Sequence, residues 1–175
     1  MYFFNYVNYI FVTKLNAYNL YIYESVFLIG EEMNHCIIYW SRYGNGKKVV
    51  EYIENKLKDK KQEVQVFTTD EADPTSMPDA DIFFFSAPTE AFRIKKNMRI
   101  FMKKLKGMDG KKYGIINTHA MKNKNCLGNM EKILSNKKMI KIAEIDFQIG
   151  EGQNKGEGLM AGWDEKLEEF IEKFY

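Results

Sequence analysis

The sequence predicts an α/β fold, a parallel sheet with helices on both faces, and three observations carry that prediction. From Met33 onward, segments of strand pattern alternate with segments of helix pattern, as a parallel sheet wound through crossover helices requires. Two of the strand segments, His35 to Trp40 and Asp81 to Ser86, are continuous apolar runs of the kind buried on both faces. The helix segments are two-sided, with apolar residues at helical spacing and charge elsewhere.

Taken in order, His35-Cys36-Ile37-Ile38-Tyr39-Trp40 forms the first strand, and a helix follows from about Lys47 to Lys60 with Val50, Ile53 and Leu57 on its inner face. Glu63-Val64-Gln65-Val66-Phe67 alternates residue by residue, which predicts a second strand at a sheet edge. Asp70 to Pro78 is rich in acids, prolines and threonine, so the next connection is short and carries little helix. Asp81 to Ser86 is the third strand. Ile94 to Lys106 is a helix with Met98, Phe101, Met102 and Leu105 inward; its other face carries Lys95, Lys96, Arg99, Lys103, Lys104 and Lys106. That basic face reads first as solvated lysines, with docking of an acidic partner as the alternative. Tyr113 to Asn117 is a fourth strand, and Leu127, Met130, Ile133 and Leu134 stripe the following helix. Lys141 to Ile149 is a fifth strand, and Trp163, Leu167, Phe170, Ile171 and Phe174 line a last helix. The glycine-rich stretch Gly150 to Gly158 between them reads as a variable surface loop, the alternative being a flap over a ligand.

Composition narrows the function classes. The chain has 175 residues, 45% hydrophobic and 29% charged, which suits one soluble globular domain. A formal net charge of +2 gives no reason to expect nucleic acid as a partner. Cys36 and Cys126 have no CxxC spacing, suit a reducing cytoplasm, and argue against an iron–sulfur cluster held by this chain alone. No metal site is expected.

Residues 1–32 differ from the rest, being dominated by Tyr, Phe, Asn, Ile and Leu with Lys14, Glu24, Glu31 and Glu32 as the charges. No uninterrupted apolar run there approaches the roughly 20 residues that span a bilayer, and the pattern of a secretory signal is missing. We therefore expect no stable membrane span. One reading is an arm that binds a partner or membrane surface; the one carried forward is a start at Met33, with the preceding residues read from AT-rich upstream DNA. The domain then runs from 33 to 175.

The stretch that bears most on function is Ser41-Arg42-Tyr43-Gly44-Asn45-Gly46-Lys47, set between the first strand and its helix. Glycines on either side of Asn45 allow left-handed backbone angles, so consecutive N–H groups can converge on one anion. The unpaired N–H groups of the helix start follow immediately, where the helix dipole favours negative charge. Ser41 and Tyr43 add hydroxyls and Lys47 a cation, which suits a terminal phosphate. An ordinary glycine-containing βα turn fits these seven residues equally well.

At this point the chain resembles the flavodoxins and related flavin mononucleotide proteins, whose first loop has the form Ser/Thr-x-Thr-Gly-x-Thr. Ser41, Gly44 and Asn45 match that pattern, while Tyr43 and Gly46 stand where threonines are usual. After the third strand, Ser86-Ala87-Pro88-Thr89 resembles the family's Ser/Gly-x-Pro-Thr loop. The resemblance implies a flavodoxin-like three-layer sandwich with a five-stranded parallel sheet of order 2-1-3-4-5, and a ligand beyond the carboxyl ends of strands 1 and 3. It implies that Ser41, Arg42, Tyr43, Gly44, Asn45, Gly46 and Lys47 hold the phosphate of flavin mononucleotide (FMN). Ala87, Pro88, Thr89, Glu90 and Phe92 would meet the ring, with Arg93 within reach, and Asn117, Thr118 and His119 would lie along its far side. The usual stacking aromatic is missing from the stretch after strand 4, so one ring face is either open to a substrate or partner flavoprotein or covered by a residue from elsewhere in the chain.

The implied function is electron transfer between redox partners, with no catalytic acid, base or nucleophile, because the flavin carries the chemistry. Two alternatives stand: an FMN-dependent reductase that oxidises a nicotinamide donor with a quinone or azo acceptor, and a flavodoxin-like binding module without flavin. A phosphoryl-accepting receiver is disfavoured, because Trp40-Ser41-Arg42 offers no acid at the end of strand 1. Without Lys14 and the three glutamates of residues 1–32 the domain is more basic still. A redox partner with an acidic surface is therefore expected, as is a reduced flavin less destabilised than in an acidic carrier.

Overall fold

The structure is a computed structural model and describes residues 33–175, apart from 123 and 124, with only the backbone of Gln153. The expectations for residues 1–32 and for Asn123 and Lys124 lie outside the described residues. In chain order the elements are β1 (Asn34–Tyr39), α1 (Asn45–Asp59), β2 (Glu63–Thr68), β3 (Ile82–Glu90), β4 (Arg93–Ile94), α2 (Lys96–Lys104), β5 (Lys112–His119), α3 (Leu127–Ser135), β6 (Ile140–Gln148) and α4 (Trp163–Ile171). Five strands pair in parallel in the order β2-β1-β3-β5-β6, and β4 pairs antiparallel with the end of β3. Counting those five strands alone, this is the 2-1-3-4-5 winding expected from the sequence.

The period of two along each strand divides the core between the two faces. Cys36, Ile38, Phe83 and Phe85 point to one face and meet Met98, Met102, Met130 and Leu134 of α2 and α3. Ile37 and Phe84 point to the other and meet Val50, Ile53, Leu167 and Phe170 of α1 and α4. Strand β2 pairs with β1 alone and is the predicted edge, and the connection over residues 69–81 contains no helix.

The structure departs from the sequence reading in four places, all at the carboxyl end of the sheet. Helix α1 starts at Asn45 rather than Lys47, so Asn45 and Gly46 are helical and Gly44 alone takes a left-handed angle, at φ 89°. Strand β3 continues through Ser86 to Glu90 and turns back as β4, so the expected proline loop is a β-hairpin. Strand β5 runs on to His119, which makes Asn117, Thr118 and His119 strand residues and not loop residues. Finally, the Gly150 to Gly158 segment is not a loose surface loop: Gly158 N–H donates to Asn45 Oδ1 at 2.9 Å, and Gly150 N–H donates to the Gly158 carbonyl at 2.8 Å.

Candidate functional site

Beyond the carboxyl ends of β1, β3 and β5, where the winding direction reverses, lies a shallow, solvent-open cleft with a cavity volume of about 80 Å³. Its walls come from Ser41 to Gly46, from Pro88-Thr89-Glu90, from Thr118-His119-Ala120 and from Ile149. Thus four segments far apart in sequence converge at one end of the sheet.

The first wall is the start of α1. Gly44 caps the helix through its backbone: its carbonyl accepts from Lys48 N–H at 2.9 Å, it brings no side-chain cap, and no acid stands among the first-turn residues. The positive end of the helix dipole thus meets neither a side-chain cap nor a first-turn acid, and its chemistry is that of an anion site. Gly46 packs against Ser41: a Cβ there would lie 3.4 Å from Ser41 Oγ and 3.5 Å from Ser41 Cβ, ordinary contact distances, so neither space nor backbone angle demands glycine. The cation on this wall is Arg42, exposed and 5.2 Å from the Tyr43 ring centroid. Lys47 does not line the cleft; its ammonium faces Glu51 at 3.5 Å, one turn on. Asn45 is buried, and its Oδ1 is committed to the Gly158 N–H.

The second wall is the hairpin. Pro88 and Thr89 are half-buried, and Glu90 holds Lys95 at 2.7 Å while the Lys95 ammonium sits 4.2 Å from the centroid of Trp40. At the tip, Ala91 and Phe92 both adopt left-handed angles, φ 47° and 61°, with Phe92 61% exposed. Ala87 is buried beneath and does not reach the cleft.

Asn117 is fully buried and ties the walls together from below. Its Oδ1 accepts from Thr89 Oγ1 at 2.9 Å and from Cys126 N–H at 3.1 Å, and its Nδ2 donates to the Ala87 carbonyl at 2.7 Å. The expected ring contact is thus a structural hub linking β3, β5 and the start of α3. His119 likewise is no solvated loop histidine. It is 5% exposed, with Nδ1 2.9 Å from the Met121 carbonyl and Nε2 2.6 Å from the Asp146 carboxylate.

Sequence reasoning placed Ser41, Arg42, Tyr43, Asn45, Gly46, Pro88, Thr89, Glu90, Thr118 and His119 together, and all ten line the cleft. Gly44 shapes it from behind, whereas Lys47, Ala87, Phe92 and Asn117 do not line it. Ile149 and Ala120 were not singled out as site residues, and the Gly150 to Gly158 stretch was read first as a surface loop. The signal for the last lay in its glycines: Gly156 lies against the first loop, where a Cβ on it would come within 3.2 Å of the Tyr43 carbonyl oxygen. The two cysteines take no part, and burial pushes the Cys36 thiol up to about 12. Among the described residues no three His, Cys, Asp or Glu side chains gather as a metal site, and no helix is long and apolar enough to cross a membrane.

Comparison with known proteins agrees with this geometry. No curated protein matches the sequence. Among solved structures, the fold is similar to a flavodoxin from the domain Archaea, with 18% identity, TM-score 0.59, 78% of this chain and 99% of that one covered. It is similar to a Streptococcus pneumoniae flavodoxin at 20% identity and TM-score 0.63, covering 80% and 96%. Rubredoxin oxygen:oxidoreductase from Desulfovibrio gigas also matches, at 13% identity and TM-score 0.67, over 80% of this chain but 34% of that one. The flavodoxin domain profile matches residues 36–154, from the first strand through the cleft to the segment that closes on Asn45. The winding, the helix start behind Ser41 to Gly44 with no side-chain cap, and this match converge on one conclusion: the chain belongs to the flavodoxin domain family.

Proposed function

We propose that this chain binds flavin mononucleotide in the cleft and passes electrons between redox partner proteins. The observation that carries the reading is the start of α1: first-turn N–H groups with no side-chain cap, no acid among the first-turn residues, and Ser41 and Arg42 beside them. In this reading the phosphate accepts from the α1 N–H groups and the Ser41 hydroxyl, with Arg42 supplying the charge assigned in sequence to Lys47. Pro88, Thr89 and Glu90 position one edge of the ring and Thr118 and His119 the other, while Phe92 and Tyr43 stand at the rim. The flavin supplies the redox chemistry when bound. The chain's own residues bind it, orient it and fix the charge around it. Neither Tyr43 nor Gly46 restores the two missing threonine hydroxyls, so grip rests on backbone donors, which do not depend on side-chain identity.

The test is a visible spectrum of the purified protein followed by titration of flavin-free chain with FMN and, separately, riboflavin. FMN uptake with much weaker riboflavin uptake supports the reading, because the phosphate site contributes to the first alone. No uptake of either overturns it and leaves a binding module without flavin. If flavin is bound, rapid oxidation of a nicotinamide donor without added protein would move the assignment from carrier to reductase. Ala120 and Met121, both exposed at the mouth, leave room for such a donor.

A further inference from the structure

We propose that the exposed face of α2 is the docking surface for an acidic protein partner. The inference rests on the electron-transfer reading and names the kind of partner that reading requires.

Between Glu90 and Asp109 the chain carries no acid and seven cations: Arg93, Lys95, Lys96, Arg99, Lys103, Lys104 and Lys106. Lys95 is consumed by Glu90 and Trp40. Among the described residues, none of the other six forms an ion pair. The contrast with α1 decides the meaning of this. There Lys47 faces Glu51, Lys58 faces Glu54, Lys56 faces Glu168 of α4, and Lys48 lies 5.5 Å from the Trp163 ring centroid, so each lysine has a partner. On one side of the molecule the lysines are neutralised within the chain; on α2 they are left open.

Two acids of the preceding connection, Asp70 and Asp73, bond neutral groups and form no ion pair with α2. Asp73 accepts from Thr75 N–H and Oγ1, each at 2.8 Å, and these bonds, with Lys106 and Lys104 at longer range, hold its carboxyl below the usual range. Asp70 is met by Asn97 Nδ2 at 3.5 Å. Arg99 and Lys103 stand one turn apart, and like charges at that spacing destabilise a helix. Lys96 opposes the helix dipole in the first turn. Lys103 and Lys104 sit in the last turn, where cations suit the dipole, whereas Lys96 and the Arg99–Lys103 spacing carry costs that an acid from outside would relieve.

Two features give the surface direction. Lys96, Ile100, Lys103 and Lys104 share one face, and Ile100 is 40% exposed among the cations, an apolar centre in a charged rim. The hairpin that leads into α2 carries exposed Phe92 and Arg93 beside the cleft. A partner seated on α2 therefore reaches the rim where the flavin edge would lie. Its surface must be acidic with an apolar spot, the charge pattern that steers encounter and fixes orientation.

The probe is a plant-type [2Fe–2S] ferredoxin, a small acidic one-electron carrier, titrated into the full-length protein and followed by backbone amide shifts. We expect perturbations on α2 and residues 92–93, and binding weakened about tenfold by Lys103→Glu with Lys104→Glu at low ionic strength. Lys61→Glu with Lys173→Glu makes the same net charge change on exposed residues elsewhere and should alter binding by less than about twofold. Equal weakening by both pairs would reduce the effect to net charge and overturn the proposal. So would perturbations that avoid α2, or binding of vesicles with about one-third anionic lipid through these lysines with none of ferredoxin. FMN uptake by the α2 variant is read in parallel. Docking on α2 by a chain that takes up no flavin would sink the electron-transfer reading and keep the acidic partner.

Discussion

At the residue scale, the cleft depends on side chains that never touch a ligand. Asn117 bonds three groups at once, so Asn117→Ala removes the acceptor of the buried Cys126 N–H and the side-chain bonds to Thr89 Oγ1 and the Ala87 carbonyl. The expected loss is about 3 kcal/mol of unfolding free energy, measured by urea denaturation, and a loss under about 1 kcal/mol would contradict the hub role. His35 at the opposite end of β1 makes a pH prediction. It is 1% exposed and stacked on Phe84, and burial lowers its pKa below the ordinary 6.5 against the raising pull of backbone carbonyls at Met33 and Glu63. Below pH 6.5 the unfolded chain takes up a proton that the folded chain refuses, so stability is full above that pH and falls as pH drops through it. Thermal melts of the native chain should show the fall between pH 6.5 and the carboxylate range, and His35→Phe should flatten it. The roles of Asn117 and His119 were not legible in the sequence because each depends on a partner across the sheet, Ala87 or Asp146, whose register local pattern does not reveal.

At the element scale, the sequence made the strands and helices legible through their apolar periods, and the hairpin escaped it. A two-residue β-turn with both central angles left-handed usually announces itself by Asn-Gly or Gly-Gly, and here Ala91-Phe92 occupies the place. The paired strands enforce the turn against local preference. Ala91→Gly should relieve it, stabilising the fold by about 0.5 kcal/mol after the entropy cost of glycine. Calorimetry would register a small rise in melting temperature; a decrease would mean the turn is unstrained. The extension of β3 and β5 has the same origin. Neither Pro88 nor Thr118 ends its strand, because the two are register partners and the Asn117 side chain clamps the pair of strands just before them.

For the whole molecule, topology was legible because buried parallel strands cannot hide their composition, whereas the distribution of charge was not. Sequence gave a net value and a basic helix face; only the fold separates the neutralised lysines of α1 from the open ones of α2. If flavin is bound, the positive field should favour its reduced, more negative form. Redox titration is expected to give a less negative potential than an acidic flavodoxin shows. The potential should shift more negative as salt rises from about 20 mM to about 200 mM, because salt screens the favourable field. A potential as low as that of the acidic carriers, insensitive to salt, would remove charge as the tuning agent.

The bond from Gly158 N–H to Asn45 Oδ1 joins residues 113 apart in the chain. During synthesis the first loop and its helix emerge early, yet their Asn45 side chain waits for a segment made after all six strands. Ligand capture by a nascent chain should therefore lag behind sheet formation. A single cut between Gly152 and Gly156 in the finished protein would spare the sheet while unfastening the anion loop, because the closure that held Gly158 in place would no longer be intramolecular along a short tether.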